Sequence, residues 1–211
     1  MNANSSVKRY DFFPTPVYAF QMSDEHRKQW LESTYALAKA HPKSPAVPLF
    51  RGHKVQADLF TIPEFATFKS AVQDKAQTIA QDLKVDLNRM DLTLDHAWAN
   101  INGKGDFNEY HSHPNCDFSG VYYLKSMPSL GSIRFRDPRE PVALRTLLLK
   151  ERNLFTQDVA FPPVQGMMYI FPAWLMHQVD PNPVDFDRIS LSFNISFKIK
   201  QELQGTIQKD F

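Results

Sequence analysis

Residues 188–197 read RISLSFNISF, and their strict alternation is the signature of a β-strand with one apolar and one polar face. Ile189, Leu191, Phe193, Ile195 and Phe197 fall on one side, and Arg188, Ser190, Ser192, Asn194 and Ser196 on the other. A strand face turned to bulk water favours Thr, Lys and Glu. Short Ser and Asn side chains beside an Arg suit the narrow polar interior of a ligand-holding barrel instead.

The segments before this strand support a barrel. From Leu92 onward, short runs with period two are punctuated by Gly, Pro and Asn. Strands are expected at Leu92 to Asn102, Asn108 to His113, Ser119 to Lys125, Ser132 to Arg136, Leu144 to Leu149, Met167 to Phe171 and His177 to Val179, with the last from Arg188 to Lys198. Strands at this spacing argue for a closed or double-sheet jelly roll. The first part of the chain reads differently. A short edge strand is expected at Val17 to Phe20, a helix from an N-cap at Ser23 to His41-Pro42, and a second helix from Pro63 to about Leu83. Residues Lys43 to Ile62 form a loop with one short strand around Val55 to Leu59. The expected fold is mainly β with flanking helices (α+β) in one domain over 1–211, where residues 1–91 form a helical and edge-strand layer that supports a jelly-roll core at 92–200.

Composition excludes several classes. In 211 residues, 24 Lys and Arg face 23 Asp and Glu, so no overall field draws the chain to nucleic acid or an anionic membrane. Cys116 is the only cysteine, which rules out an internal disulfide and suits a cytoplasmic setting. The amino terminus lacks the apolar run of a signal peptide, and the most apolar window, Gly166 to Met176, is broken by Pro172 and too short to cross a bilayer. The expected partner is a small-molecule or peptide substrate. A homodimer through the helical layer is the base-rate expectation.

His111 and His113 are two apart in a segment of strand character, so both imidazoles can reach one metal ion, and His177 follows the apolar run MMYIFP. Two neighbouring ligands plus one distant ligand is how a non-haem iron site is commonly assembled on facing strands of a jelly roll. Unrelated histidines would be the plainer explanation of the pair alone. Arg188 suits a carboxylate deep in a polar pocket, because its planar fork makes two charge-assisted hydrogen bonds. Its plainer explanation is a surface ion pair with Asp185 or Asp187.

The stretch from Asn100 to Phe197 resembles the iron(II)- and 2-oxoglutarate-dependent dioxygenase superfamily, and most closely a group of oxygenases with a His-x-His-Pro motif. The matching run is Asn102-x-x-Gly105-x-x-Asn108-x-x-His111-x-His113-Pro114, then Ser119-Gly120-Val121-Tyr122-Tyr123-Leu124. It continues with Gly131-Ser132-Ile133-Arg134-Phe135, Gly166 to Pro172, His177 and Arg188-Ile189-Ser190. Phe12 to Val17 also looks like the opening of that group. The resemblance implies a double-stranded β-helix (jelly-roll, cupin-like) core that uses Fe(II), 2-oxoglutarate and O2 to hydroxylate a small molecule, amino acid or peptide.

Carried over residue by residue, it implies that His111 and His177 are iron ligands and that Arg188 holds the distal carboxylate of 2-oxoglutarate. Ser190 and Tyr123 assist it, and Asn102 is a further polar residue of the pocket. The superfamily's usual motif is His-x-Asp or His-x-Glu, so His113 is a departure. It implies a three-histidine site, with Glu109 or Asp117 as the alternative carboxylate. Phe135, Phe171 and Trp174 are expected walls. Arg134, Arg136 and Arg139 are either a substrate-facing edge or a solvated hairpin rim, and Cys116 has no assigned role. Two other functions fit a metal-bearing jelly roll: a cupin-like dioxygenase or isomerase that does not use 2-oxoglutarate, and a non-catalytic binding module.

Overall fold

The computed structural model of the protein describes residues 13–43, 49–139, 148–153 and 155–203. In chain order these form β1 (Tyr18–Gln21), α1 (Arg27–Ala40), β2 (Phe50–Arg51), β3 (His53–Val55), 3-10 turns at Leu59–Thr61 and Pro63–Phe65, α2 (Ala66–Asp82) and β4 (Met90–Asn102). There follow β5 (Phe107–His111), β6 (Phe118–Lys125), β7 (Ile133–Arg136), β8 (Asp158–Phe161), β9 (Met167–Pro172), β10 (His177–Val179) and β11 (Arg188–Ile199).

The strands make two antiparallel sheets, one in the order β1-β9-β6-β11-β4-β3 and the other β2-β5-β10-β7-β8. This is the expected jelly roll. At one edge, β2 and β3 pass the chain between the sheets through Gly52, so the sandwich is joined beside β4 and β5.

Sheet periodicity explains how the layers are covered. Along β6, Tyr122 and Leu124 point to the helical side while Val121 and Tyr123 point between the sheets, so the strand is buried on both faces. The larger apolar core lies between the six-stranded sheet and the helices. It joins Trp30, Phe65, Phe68, Val72 and Ile79 to Tyr122, Leu191, Phe193 and Ile195. Trp30 meets Tyr122 edge-on at 5.6 Å between ring centroids. A smaller cluster of Val121, Ile133, Phe135, Tyr169 and Phe171 fills part of the space between the sheets. As expected, β11 sends Ile189, Leu191 and Phe193 to the helical side, and its polar face looks into the sandwich.

Several boundaries differ from the sequence reading. The first helix begins at Arg27, and Ser23 is not its cap. The Arg27 N–H bonds the Asp24 carbonyl and its Nε bonds Asp24 Oδ1 at 2.7 Å, so a turn moves the helix start downstream. Leu59 leaves the strand for a 3-10 turn because Asp58 Oδ1 accepts from Phe60 N–H at 3.1 Å and Ala97 N–H at 3.0 Å. Strand β8 was not anticipated. Residues 144–147 of the expected Leu144 to Leu149 strand lie outside the described residues, while Leu148 and Leu149 are outside any strand. His113 lies beyond the end of β5, so it does not share a strand with His111.

Candidate metal centre

His111 closes β5 and His177 opens β10, and the two are register partners across the ladder. His113 reaches the same place from the following loop, where its backbone N–H is held by the Ala173 carbonyl at 2.9 Å. One ring nitrogen from each of the three lies within 4.8 Å of the others. The ring centroids of His111 and His177 are 4.3 Å apart, and those of His113 and His177 are 5.2 Å apart.

Two of the imidazoles are held in one tautomer by the chain itself. His111 Nδ1 lies 2.8 Å from the Glu109 carbonyl, and His177 Nδ1 lies 2.8 Å from the Leu175 carbonyl. A carbonyl can only accept, so each Nδ1 carries the proton and each Nε2 lone pair is left for a metal. The His113 ring rests against Trp98 at 5.8 Å and stacks on His177. Burial pushes the His113 imidazole down to about 4 and the His177 imidazole down to about 3, with the neighbouring His111 adding to both. His111 is lowered for the same first reason. All three rings are therefore neutral near pH 7, the form in which imidazole binds a metal ion.

Arg188 is 1% exposed, and it pairs with neither Asp185 nor Asp187. Its Nη1 donates to the carbonyls of Leu130 at 2.6 Å, Gly131 at 2.8 Å and Asp180 at 3.3 Å. Its Nη2 is buried with no hydrogen-bond partner among the described residues. An unpartnered guanidinium nitrogen in this setting is costly unless a carboxylate completes it. Around it, the register places Asn102 opposite Arg188, and both Asn100 and Tyr123 opposite Ser190. Burial raises the Tyr123 phenol above its ordinary value, so it stays protonated as a donor.

His111, His113, His177, Asn102, Tyr123, Arg188 and Ser190 all line one cavity between the sheets. Phe171 is a wall of that cavity, and both Phe135 and Phe171 touch the His177 ring, with centroids at 6.1 and 4.6 Å. Trp174 is 56% exposed and is not one of its walls. Glu109 is exposed and contributes only its backbone carbonyl, and the Asp117 carboxylate accepts from Phe197 N–H at 2.6 Å. Neither carboxylate joins the histidine cluster. Arg134 is tied to Asp180, Arg139 to Asp137, and Arg136 lies over Tyr110, which makes them a hairpin rim.

Sequence reasoning missed Trp98 and Asn100, which line the cavity with Asn102. The same period-two rule that sorted β11 would have found them on β4. A roomier cleft of about 360 Å³ is walled by Val17, Phe135, Phe161 and Leu175. It contains no histidine, so the three imidazoles make the smaller cavity the candidate metal centre.

The donor set fits a divalent metal held with a dicarboxylate. Three neutral imidazoles converge at one end of the cavity, and at the other a buried guanidinium has a nitrogen to spare.

Residues 96–194 match the model of a family described as "Putative 2OG-Fe(II) oxygenase". No curated protein sequence matches the chain. Among solved structures, a Pseudomonas putida prolyl-4-hydroxylase is similar at TM-score 0.63 and 15% identity, covering 88% of this chain and 94% of that one. The viral collagen prolyl hydroxylase of Paramecium bursaria Chlorella virus-1, solved with 2-oxoglutarate, gives TM-score 0.56 at 13% identity over 87% of this chain and 96% of its own. HygX of Streptomyces hygroscopicus, solved with nickel, 2-oxoglutarate and hygromycin B, gives TM-score 0.58 at 16% identity over 86% and 83%.

Proposed function

We propose, from the match of residues 96–194 to the family model described as "Putative 2OG-Fe(II) oxygenase", that the histidine cavity holds Fe(II) and 2-oxoglutarate for hydroxylation of a small-molecule or peptide substrate. The observation that carries this reading is the buried Arg188 Nη2 without a partner, in the same cavity as three converging imidazoles.

With O2, the bound Fe(II) and 2-oxoglutarate supply the oxidising chemistry, in which decarboxylation to succinate accompanies oxygen transfer to substrate. The residues do the rest. His111 and His177 present Nε2 because the Glu109 and Leu175 carbonyls hold their Nδ1 protons. His113 is the third ligand, in place of the family's usual carboxylate. Arg188 binds the distal carboxylate, and its remaining hydrogen bonds to three carbonyls stop the guanidinium from turning away. Ser190 and Tyr123 donate hydroxyl protons to the same carboxylate, and Asn102 is a further polar contact. Phe135 and Phe171 keep water from the His177 side. The helical layer and the barrel form one domain around a shared core, in a cytoplasmic enzyme.

No described helix is long and apolar enough to cross a membrane. Three neutral histidines also suit a cupin-like dioxygenase that does not use 2-oxoglutarate, and one experiment separates the two. Fe(II)-loaded protein is titrated with 2-oxoglutarate without oxygen, and the visible charge-transfer band of keto-acid chelation is followed, with Arg188→Ala in parallel. A saturating band that needs at least about tenfold more 2-oxoglutarate in the variant supports the proposal. Bound iron with no band overturns it in favour of the cupin-like chemistry.

A further inference from the structure

Lys54 sits on β3 opposite Asn100 of β4. Directly opposed residues of an antiparallel pair share a face, so Lys54 points to the same side of the sheet as the cavity wall. Its ammonium lies 4.5 Å from the centre of the Trp98 ring, and Trp98 lies 5.8 Å from His113. Lys54 is half-buried, and its ammonium has no hydrogen bond or ion pair with any described residue.

None of the ion pairs among the described residues includes Lys54, and acids of the elements that follow β3 are paired elsewhere. Asp58 accepts from Phe60 and Ala97 N–H and lies 3.5 Å from His96. Asp95 is held by Ser196 and Lys198, Asp106 by Lys43 and Arg51, and Asp180 by Arg134. Lys54 is thus a partly desolvated cation beside the metal site without a counter-charge, a costly arrangement unless a ligand supplies one.

We propose that Lys54 anchors a carboxylate of the primary substrate, making that substrate a small carboxylic acid, such as a free amino acid, and not an internal residue of a peptide. The inference rests on the 2-oxoglutarate reading of the same cavity. Lys54 is not a wall of that cavity but stands over Trp98, which is, so it meets what approaches from outside. A divalent ion on three neutral imidazoles, with Arg188 and Lys54, also carries more positive charge than the two carboxylates of 2-oxoglutarate cancel. A third carboxylate reduces the excess. A single ammonium on one aromatic face matches a monoanion in charge.

The test uses Fe(II)- and 2-oxoglutarate-loaded protein without oxygen, titrated with the proteinogenic L-amino acids and with the primary amide of each. Binding is read by tryptophan fluorescence and by the shift of the charge-transfer band. The expected result is an acid that binds the parent at least about tenfold more tightly than its amide. Lys54→Met loses that preference, Lys54→Arg keeps it, and 2-oxoglutarate affinity stays within about threefold in both. Lys54→Met retains the alkyl stem over Trp98, and an unchanged melting temperature verifies its fold. Equal binding of acid and amide, no acid bound by the parent, or a Lys54→Met defect confined to 2-oxoglutarate affinity would each overturn the proposal. Failure of the parent to form the band is failure of the 2-oxoglutarate reading alone. Fluorescence titration of the Fe(II) protein without 2-oxoglutarate then still compares acid with amide at Lys54.

Discussion

His177 stands directly opposite His111 in the antiparallel register of β10 and β5, and their rings approach to 4.3 Å between centroids. The ladder sets this pair, because opposed residues on adjacent strands bring their side chains together on one face. A register shift between His177 and Val179 ends the regular pairing immediately beyond it. His113 arrives by another route, from a loop held through its backbone to Ala173. The cluster therefore joins two imidazoles locked by carbonyl hydrogen bonds to a third placed by the loop.

That asymmetry predicts unequal losses. His111→Ala and His177→Ala are expected to weaken Fe(II) or Co(II) binding by about 100-fold or more, and His113→Ala by about tenfold, as measured by anaerobic metal titration. Equal affinity of His113→Ala and the parent would remove His113 from the ligand set.

Because burial holds His113 down to about 4 and His177 down to about 3, metal binding needs no deprotonation at these rings until the pH approaches those values. Co(II) affinity is expected to hold from pH 7 to the ordinary imidazole pKa of about 6.5, to decline once His111, itself held below that value by burial, takes up a proton, and to fall steeply below about pH 4. The metal-free protein behaves accordingly. Between about pH 6.5 and 3 the unfolded chain binds protons on these histidines that the folded chain does not, so stability declines as the pH is lowered through that window. Melting temperatures across this range check the sign, and a rise on acidification would contradict it.

Gly131 has φ +83°, and a Cβ there would lie 2.5 Å from the Asp180 carbonyl oxygen, 2.8 Å from that of Pro181 and 3.0 Å from Arg188 Nη1. Gly131→Ala must shift the backbone that holds the guanidinium. It is expected to raise the Kd for 2-oxoglutarate by about tenfold while leaving Fe(II) affinity unchanged, and to cost about 1–3 kcal/mol of stability. Isothermal titration with each ligand separates the two effects.

Phe68 packs edge-on against Trp30 at 5.5 Å and Phe193 at 5.9 Å, in the layer between the helices and the six-stranded sheet. Phe68→Ala is expected to destabilise by about 3–5 kcal/mol in urea unfolding. Since this layer is on the opposite side of β11 from Arg188 and Ser190, 2-oxoglutarate affinity per folded molecule should be unchanged.

The alternation in residues 188–197 determined the face on which Arg188, Ser190, Ser192 and Asn194 look inward, because a strand offers only two faces and the apolar one had to meet a core. The same local rule made most strands readable from Leu92 onward, and the residue types and order around His111, His113 and His177 marked the three histidines that the structure brings together. Local sequence did not determine what depends on partners distant in the chain. Arg188 has Asp185 and Asp187 nearby, yet it bonds the carbonyls of Leu130, Gly131 and Asp180, because the buried end of β11 places it there. Lys54 lies in a stretch without usable periodicity, and only the pairing of β3 with β4 brings it over Trp98. Glu109 had the right spacing for a ligand, but its carboxylate is outside the cluster while its carbonyl orients His111. Chain pattern assigns a residue to a face. Only long-range strand pairing decides what it meets there, since hydrogen bonds and charge act over a few ångströms of space whatever the separation in sequence.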